Sequence, residues 1–164
     1  MKTLYIVRHA KSSWKYESLS DCERPLRKKG IDDLQNIIEA LREKNIHPEM
    51  ILTSTAVRAI QTAVLLSQGL DMPQDVLGVR SILYPGCRDQ YLDCIRQLPE
   101  DLRSVMIVGH HPAVTDTINT LLGEELHRVA TSSVHCVRWD EADSWKQCVS
   151  EPGQLVFAFK PKNL

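Results

Sequence analysis

The sequence predicts an α/β fold, a three-layer α/β/α sandwich around a mostly parallel central sheet of about six strands. Two observations predict it. Short apolar runs rich in β-branched residues recur along the chain and have the length of buried strands. Longer segments with apolar residues at helical spacing alternate with these runs, which is typical of βαβ units. At 164 residues the chain has the usual length of one domain, and we expect a single domain over residues 1–164.

The apolar runs place the strands at 3–8, 50–54, 76–83, 104–109, 134–139 and 155–160. The first helix carries an apolar stripe made of Leu34, Ile37, Ile38 and Leu41. Three more helices are predicted near 56–69, 89–98 and 112–122. Two polar segments, 11–30 and 83–88, are expected to form loops over one edge of the sheet and to contact a substrate.

Composition and charge argue against two classes of partner. The formal net charge of −1 and the isoelectric point near 6.6 leave no overall basic field, so a nucleic-acid partner is not expected. No stretch approaches the roughly 20 apolar residues of a membrane span, so no membrane partner is expected either. The apolar run at 4–7 is too short for a secretory signal, and we expect a cytoplasmic location.

The cysteines and several histidines show no metal-binding pattern. The five cysteines form an odd set without a C-x-x-C pair, which fits neither a disulfide framework nor a common zinc site. His110 and His111 are adjacent and diverge, and no histidine or acidic residue at helical spacing completes a site. We therefore expect reduced thiols and no metal, and we assign no function to His47, His127 and His135.

Polar and positively charged side chains follow three of the predicted strands at the point where each strand ends. They are Arg8 and His9 for the first strand, Ser54 and Arg58 for the second, and His110 and His111 for the fourth. Because sites in α/β sheets form beyond the carboxyl ends of the strands, we expect these side chains to converge. Such a cationic cluster repels itself when empty, so it indicates a bound anion, and we expect phosphate.

Each of these residue types has a chemical role beside a phosphate. Arg8 and Arg58 can each present a planar pair of N–H donors to phosphate oxygens, and His110 in its charged form supplies another donor. The helix near Ala56 adds backbone donors and a favourable dipole. Positive neighbours keep the imidazole of His9 neutral, so a ring nitrogen is free to attack phosphorus. The sequence therefore predicts a histidine nucleophile with cationic stabilisation of the transition state.

The same three segments resemble the motifs of the histidine phosphatase superfamily. Residues 7–10 resemble its R-H-G motif, with Ala10 in the place of glycine. Residues 54–62 resemble its S-x-x-x-R-A-x-Q-T segment. Residues 108–112 resemble its second-histidine motif, with His111 in the place of a common asparagine.

A further resemblance is to the short SixA-like phosphohistidine phosphatases, which share residues 8–12, Asp21, residues 24–26 and Gly30. This resemblance implies a phosphoglycerate mutase-like fold and no metal or cofactor. It implies that His9 is phosphorylated and that Arg8, Arg58 and His110 form the phosphate pocket. It also implies a phosphorylated protein as partner, such as a histidine phosphotransfer domain of a two-component relay, and inorganic phosphate as product.

The proton donor for the leaving group stays open between Asp21, Asp89 and none. Superfamily members that hydrolyse esters carry an acidic residue after the third strand, and the corresponding segment, 83–88, has none. The carboxylate of Asp21 can alternatively pair with an arginine and fix its loop. An imidazole leaving group needs less help from an acid than an alkoxide does, so this gap favours an N–P bond in the substrate. We expect further substrate contacts from Ser54, Lys11 and Asp21.

Two other functions stay open as alternatives. One is a phosphatase for small phosphate esters, which predicts a bell-shaped pH profile. The other is a noncatalytic phosphate-binding or phosphoprotein-binding domain, against which the intact His9 argues. If the substrate is a phosphoprotein, a basic stretch is available to face an acidic partner surface; its residues are Lys11, Arg24, Arg27, Lys28 and Lys29.

Overall fold

A computed structural model describes residues 1–125 and 128–163 of the chain. Within these ranges the strands are β1 (Lys2–Arg8), β2 (Met50–Thr53), β3 (Leu77–Val79), β4 (Ser104–Gly109), β5 (Val134–Trp139) and β6 (Gln154–Phe159). The α-helices are α1 (Lys28–Glu43), α2 (Val57–Gly69), α3 (Arg88–Arg96), α4 (Ala113–Leu122) and α5 (Trp145–Ser150). Strands and helices alternate from β1 to β6, and the sequence predicts this alternation as far as β5.

The strands form one sheet in the order β3-β2-β4-β1-β5-β6. The four strands from β3 to β1 are parallel to their neighbours, and β5 is antiparallel to both β1 and β6. In the centre of the sheet, Tyr5 of β1 lies opposite Met106 on one side and Cys136 on the other. The predicted α/β class with a mostly parallel sheet of six strands is confirmed.

The side chains of β1 alternate between two cores, one on each face of the sheet. Leu4 and Ile6 are buried with side chains of α3, α4 and α5. Tyr5 and Val7 are buried with side chains of α1 and α2. The alternation arises because successive residues of a strand point to opposite faces. Helices therefore cover both faces, and the predicted three-layer sandwich is confirmed.

Two elements differ from the sequence prediction. The strand predicted over 76–83 is limited to Leu77–Val79, because the chain turns into a 3-10 helix at Ser81–Leu83. The apolar side chain of Leu83 is buried against α3 instead of in the sheet. The sequence also predicts no helix at α5, whose six residues are too few for a periodic stripe. Ser144 caps α5 by accepting a hydrogen bond from the main-chain N–H of Gln147.

The carboxyl ends of β1, β2 and β4 lie at one edge of the sheet. Arg8 of β1 is in register with Gly109 of β4, and Thr53 of β2 is in register with Val108. Gly109 has no room for a side chain, because a Cβ there would collide with Tyr91. This edge therefore places the residues that follow the three strands side by side.

Candidate active site

A cleft of about 510 Å³ opens where β1, β2 and β4 end. The main-chain N–H of His9 donates to the carbonyl oxygen of Gly109 at 3.0 Å, which fixes the end of β1 beside that of β4. We call this the histidine cleft, and its walls are formed by Arg8, His9, Lys11, Ser12, Trp14, Arg24, Arg27, Arg58, His110, His111, Arg128 and Thr131. The structure thus brings together the residues predicted for the phosphate pocket, namely His9, Arg8, Arg58 and His110.

The walls of the histidine cleft are strongly cationic. Five arginines and one lysine line it, and no carboxylate among the described residues does. The formal net charge of the whole chain is nevertheless −1, so positive charge is concentrated here. A concave surface lined by one sign of charge attracts ions of the opposite sign. The cleft is therefore suited to an anion.

The two ring nitrogens of His9 have different partners. Nδ1 lies 2.7 Å from the carbonyl oxygen of Ala10, which can only accept a hydrogen bond. Nδ1 therefore carries the ring proton, and Nε2 keeps its lone pair. The Nε of Arg58 donates to this Nε2 at 3.3 Å. His9 is held in the tautomer whose Nε2 can attack an electrophile.

The surroundings of His9 also keep it uncharged. Burial, followed by the positive charges of Arg58, Arg8 and Arg24, lowers the pKa of His9 from 6.5 to about 4. The hydrogen bond to Ala10 acts in the opposite direction without reversing the shift. Near neutral pH Nε2 therefore carries no proton, as a nucleophile requires, and its lone pair accepts the long hydrogen bond from Arg58.

His110 lies beside His9, with 5.0 Å between the ring centroids. Its Nε2 lies 2.6 Å from the hydroxyl oxygen of Ser54. Its main-chain N–H donates to the hydroxyl of Tyr91 at 3.1 Å, and that hydroxyl donates to the carbonyl of Leu83 at 3.0 Å. Ser54 and Tyr91 therefore fix the ring and the backbone of His110 independently.

The charge state of His110 depends on whether an anion is bound. Burial, followed by the charges of His9 and Arg58, lowers the pKa of His110 to about 3. Without an anion these groups keep it neutral near neutral pH, whereas the donor role considered from the sequence needs its charged form. The charged form requires a nearby anion, because opposite charge raises the pKa of a histidine.

Arg58 stands on the first turn of α2 and is only 5% exposed. Besides the bond from Nε to His9, its Nη1 donates to the main-chain oxygen of Asp21 at 2.6 Å. Its Nη2 donates to Oδ2 of Asp21 at 3.0 Å. Each Nη carries two protons and these contacts use one on each, so two N–H groups are left for an oxyanion.

Asp21 is tied to three side chains. Its Oδ2 accepts from the hydroxyl of Tyr84 at 2.6 Å, in addition to Arg58. Its Oδ1 accepts from Nε and Nη2 of Arg24 at 3.1 and 2.9 Å. The hydrogen bond from Tyr84, with those from Arg24 and Arg58, holds the pKa of Asp21 well below its usual range. An ionised carboxylate has no proton to give, so this geometry favours the structural role over the acid.

Two buried nitrogen atoms in the walls of the cleft have no hydrogen-bond partner among the described residues. They are Nε of Arg8 and Nδ1 of His110. Arg8 is otherwise anchored by its Nη1, which donates to the carbonyl of Val129 at 2.7 Å. Leaving a buried donor unpaired costs about 1–3 kcal/mol. An oxyanion bound between Arg8 and His110 would remove this cost.

The remaining polar residues of segment 54–62 hold the surrounding loops. The hydroxyl of Thr62 accepts from the main-chain N–H of Ala10 at 3.0 Å and donates to the carbonyl of Arg58 at 2.7 Å. The side chain of Gln61 accepts from the main-chain N–H of Leu26 at 2.8 Å. One face of α2 therefore orients both the loop that follows β1 and the loop that precedes α1.

Comparison with known proteins agrees with this geometry. The family model for the histidine phosphatase superfamily (branch 1) matches residues 4–78. The phosphohistidine phosphatase SixA of Escherichia coli (strain K12) is 28% identical over 144 residues, which cover 85% of this chain and 86% of that protein. Residues 4–78 therefore match the histidine phosphatase superfamily, and the chain as a whole is similar to a SixA-like phosphohistidine phosphatase.

Two further similarities concern length and fold. An uncharacterized chloroplastic protein of Arabidopsis thaliana is 28% identical over 133 residues, or 76% of this chain, and the chain spans 61% of that relative's length. A solved structure of the protein histidine phosphatase SixA, complexed with tungstate, has a TM-score of 0.84 at 24% identity and covers 98% of both chains. The chain therefore has the fold of SixA, as the resemblance implies. The predicted enzyme class, a metal-independent phosphatase with a histidine nucleophile, agrees with the superfamily.

The other predicted substrate contacts occupy different positions. Ser54 is fully buried behind His110 and does not line the cleft. Lys11 lines the cleft and forms an ion pair with Asp33 at 3.0 Å. His111 also lines the cleft, where a threonine hydroxyl of α4 lies 3.0 Å from its Nδ1. Lys11 and His111 are thus placed to touch a ligand, whereas the hydroxyl of Ser54 contacts His110 instead.

Asp89 lies away from the histidine cleft. Its carboxylate pairs with Arg88 at 2.9 Å and lines a different surface together with Asp116. Neither Asp89 nor Asp21 is therefore arranged as a proton donor. His47 and His135 do not line the cleft, and His127 lies outside the described residues.

The sequence analysis missed Trp14, Tyr84 and Arg128. Trp14 is 76% exposed at the rim of the cleft, and the guanidinium of Arg24 lies 3.5 Å from its ring centroid. An aromatic residue in a loop predicted to contact substrate was a usable signal for Trp14. The same signal applies to Tyr84, an aromatic residue in the predicted loop 83–88, whereas no local pattern marks Arg128.

Within residues 1–125 and 128–163, no group of three or more His, Cys, Asp or Glu side chains is placed to hold a metal ion. All five cysteines are free. The helices in these ranges are too short or too polar to cross a bilayer.

Proposed function

We propose that this protein is a phosphohistidine phosphatase that acts on a phosphorylated partner protein through a covalent intermediate on His9. The observation that carries the proposal is the tautomer of His9. Nδ1 is tied to the carbonyl of Ala10, so the lone pair is on Nε2 in a cationic cleft. Similarity to the phosphohistidine phosphatase SixA of Escherichia coli supports the same activity.

In the first step, Nε2 of His9 attacks the phosphorus of the substrate phosphohistidine. The P–N bond of the substrate breaks, and its electron pair returns to the substrate imidazole, which takes up a proton from solvent. Arg8 and Arg58 bind the oxygens on which negative charge is spread in the transition state. The approach of the phosphoryl dianion favours the charged form of His110, which then donates from Nδ1.

In the second step, water attacks the phosphorus of the phosphorylated His9. The bond between phosphorus and Nε2 breaks, its electron pair returns to Nε2, and inorganic phosphate leaves. A proton of the attacking water passes to solvent. The tautomer of His9 is preserved throughout, because the bond from Nδ1 to Ala10 is not involved in either step.

The lack of a placed acid supports an N–P substrate. An alkoxide leaving group needs a proton in the transition state, whereas imidazole is a far weaker base. Asp21 is held ionised by Tyr84, Arg24 and Arg58, and Asp89 lines another surface. The cleft therefore suits phosphohistidine better than a sugar phosphate or another alkyl ester.

The proposal predicts His9-dependent phosphate release from a histidine-phosphorylated phosphotransfer domain in the presence of a chelator. Alkyl phosphate esters should be turned over far more slowly. His9→Ala should lower the rate of phosphate release at least about 1,000-fold, because removal of the nucleophile removes the covalent route. Quenching in base and mass spectrometry should locate a phosphoryl group on His9 during turnover of the wild type.

Each alternative function has a distinct result in this experiment. Preference for alkyl esters would assign the protein to the small-molecule phosphatases. Saturable binding of the phosphorylated domain without His9-dependent release from either substrate class would indicate a noncatalytic binding domain. Phosphate release that survives His9→Ala would reject His9 as the nucleophile.

A further inference from the structure

A second cleft, of about 720 Å³, adjoins the histidine cleft. The two clefts share Arg8, Lys11, Arg128 and Thr131, so they form one continuous concave surface. We call the second cleft the basic basin. Beyond the shared residues, it is lined by Lys29, Asp33, Ala130, Lys160, Pro161 and Lys162.

The basic basin carries a large excess of positive charge. Six of its described lining residues are Lys or Arg, and Asp33 is the one carboxylate among them. Asp33 is 3% exposed and forms ion pairs with Lys11 at 3.0 Å and Lys29 at 2.6 Å. The single negative charge is therefore already compensated within the wall and does not neutralise the remaining cations.

Besides Arg8, three cations of the basic basin form no ion pair with any described residue: Arg128, Lys160 and Lys162. They come from two segments that are distant in sequence, one after α4 and one after β6. Lys160 and Lys162 are exposed at the rim. Like charges gathered in a concavity raise the local concentration of anions.

We propose that the basic basin binds acidic side chains of the phosphoprotein partner while its phosphohistidine occupies the histidine cleft. This inference rests on the proposed function. Because Arg8 and Lys11 lie on the wall common to both clefts, a ligand in the basin lies directly beside the phosphoryl group. Carboxylates flanking the phosphohistidine would thus meet Arg128, Lys160 and Lys162.

Two observations favour a protein over the second anionic group of a small molecule. Two of the unpaired cations of the basin, Lys160 and Lys162, lie on exposed, flexible lysine stems, whereas the histidine cleft uses the nearly buried guanidinium of Arg58. Flexible rim charges suit several dispersed carboxylates and steer association. In addition, Trp14 exposes 76% of its surface at the rim of the histidine cleft, and aromatic residues of this kind are enriched in protein interfaces.

The test compares two substrates that contain the same N–P bond. One is a histidine phosphotransfer domain phosphorylated with phosphoramidate, and the other is the free amino acid phosphohistidine. The variants are the charge reversals Lys160→Glu and Lys162→Glu. Lys146→Glu is the matched control, because Lys146 is exposed on α5 and lines neither cleft.

We expect each basin variant to lower kcat/KM for the phosphorylated domain about 5- to 10-fold, mainly through KM, and to weaken its salt dependence. Turnover of free phosphohistidine should change less than about 2-fold, since the chemistry at His9 is not altered. Lys146→Glu should leave both substrates unchanged. An equal loss on both substrates, or an unchanged kcat/KM for the domain, would overturn the inference.

A third measurement tests whether the basic basin instead binds a second anionic group of a small-molecule substrate. If the basin holds a second phosphate, Lys160→Glu should weaken inhibition by pyrophosphate far more than inhibition by orthophosphate, and this result would also overturn the inference. Failure of the proposed function gives a different result, namely no release from phosphohistidine by the wild type. In that case, titration of the phosphorylated domain against His9→Ala, with and without Lys160→Glu, still decides whether the basin binds it.

Discussion

Asp21 holds Arg58 through two hydrogen bonds, one to its main-chain oxygen at 2.6 Å and one to Oδ2 at 3.0 Å. The Nε of the same guanidinium lies 3.3 Å from Nε2 of His9. Asp21 therefore contacts the proposed nucleophile indirectly, through Arg58. Its carboxylate positions a cation at the site and keeps that cation from turning away from the lone pair of His9.

We expect Asp21→Asn to lower kcat/KM about 10-fold, because a charged hydrogen bond to Arg58 becomes a neutral one. The factor should be the same for p-nitrophenyl phosphate and phenyl phosphate, two artificial substrates whose leaving groups differ in basicity. Tyr84→Phe is the control, since it removes a hydrogen bond to the same Oδ2 but leaves the bonds between Asp21 and Arg58 in place. It should lower kcat/KM about 2- to 3-fold. A larger loss on phenyl phosphate would show that Asp21 donates a proton.

The pKa of His9 should depend on the positive charges of the surrounding arginines. NMR titration of its ring should give a pKa near 4, because burial and three arginines disfavour the imidazolium form. Since the neutral form attacks, kcat/KM should be level above about pH 5 and fall as the pH decreases through this pKa. Arg58→Gln should raise the pKa while burial keeps it below 6.5. A wild-type pKa of 6.5 or above would contradict the proposed environment.

The sequence was sufficient to place the reactive residues, because that placement depends on strand ends. Once β1, β2 and β4 are parallel neighbours, His9, Arg58 and His110 must meet at one edge. The apolar patterns that predict the strands are local, and the motif spacing adds the positions on the first turn of α2. Both kinds of information can be read from short windows of the chain.

The partners of these residues could not be read in the same way. The bond between Tyr84 and Asp21 joins residues 63 positions apart, and no periodicity relates the two loops. The basic basin likewise combines Lys29 of α1 with Lys160 and Lys162 after β6. The low pKa of His110 could not be read from the sequence for a related reason, since the depth of burial that lowers it is a property of the packed structure.

Ser54 should act by orienting His110. Ser54→Ala removes the hydroxyl that lies 2.6 Å from Nε2 of His110, and we expect kcat to fall about 3- to 10-fold, the value of one net hydrogen bond. KM should change little if the ring binds the transition state more strongly than the substrate. Ser54→Thr keeps the hydroxyl and should retain most of the activity. Equal losses in the two variants would point to packing instead of orientation.

Gly109→Ala should damage both stability and activity. The new Cβ would collide with Tyr91, whose hydroxyl fixes the backbone of His110, and overpacking of this kind costs about 1–3 kcal/mol in the free energy of unfolding. Gly123→Ala is the matched control, because nothing lies within 4 Å of its Cβ and only its positive φ of 66° is strained. Denaturant titration of the control should give a free energy of unfolding lower by about 1 kcal/mol, and the control should keep full activity. Normal turnover by Gly109→Ala would show that the position of His110 tolerates this shift.

Three buried histidines should make the free energy of unfolding depend on pH. Burial is the main cause that lowers the pKa of His9 and His135 to about 4 and that of His110 to about 3. In the unfolded chain these groups bind protons near pH 6.5, so between pH 6.5 and 4 the unfolded state holds more protons than the folded state. Stability should therefore fall as the pH decreases through this window, and it should level off as the folded histidines become protonated.

Denaturant titrations from neutral pH down to about pH 4.5 would measure the slope of this dependence. His135→Gln removes one of the three groups without altering the cleft, since His135 lies on β5 and lines neither cleft. It should reduce the slope by about one third and leave phosphate release unchanged. An unchanged slope in this variant would mean that His135 is protonated in the folded protein, which its buried Nδ1, without a partner among the described residues, argues against.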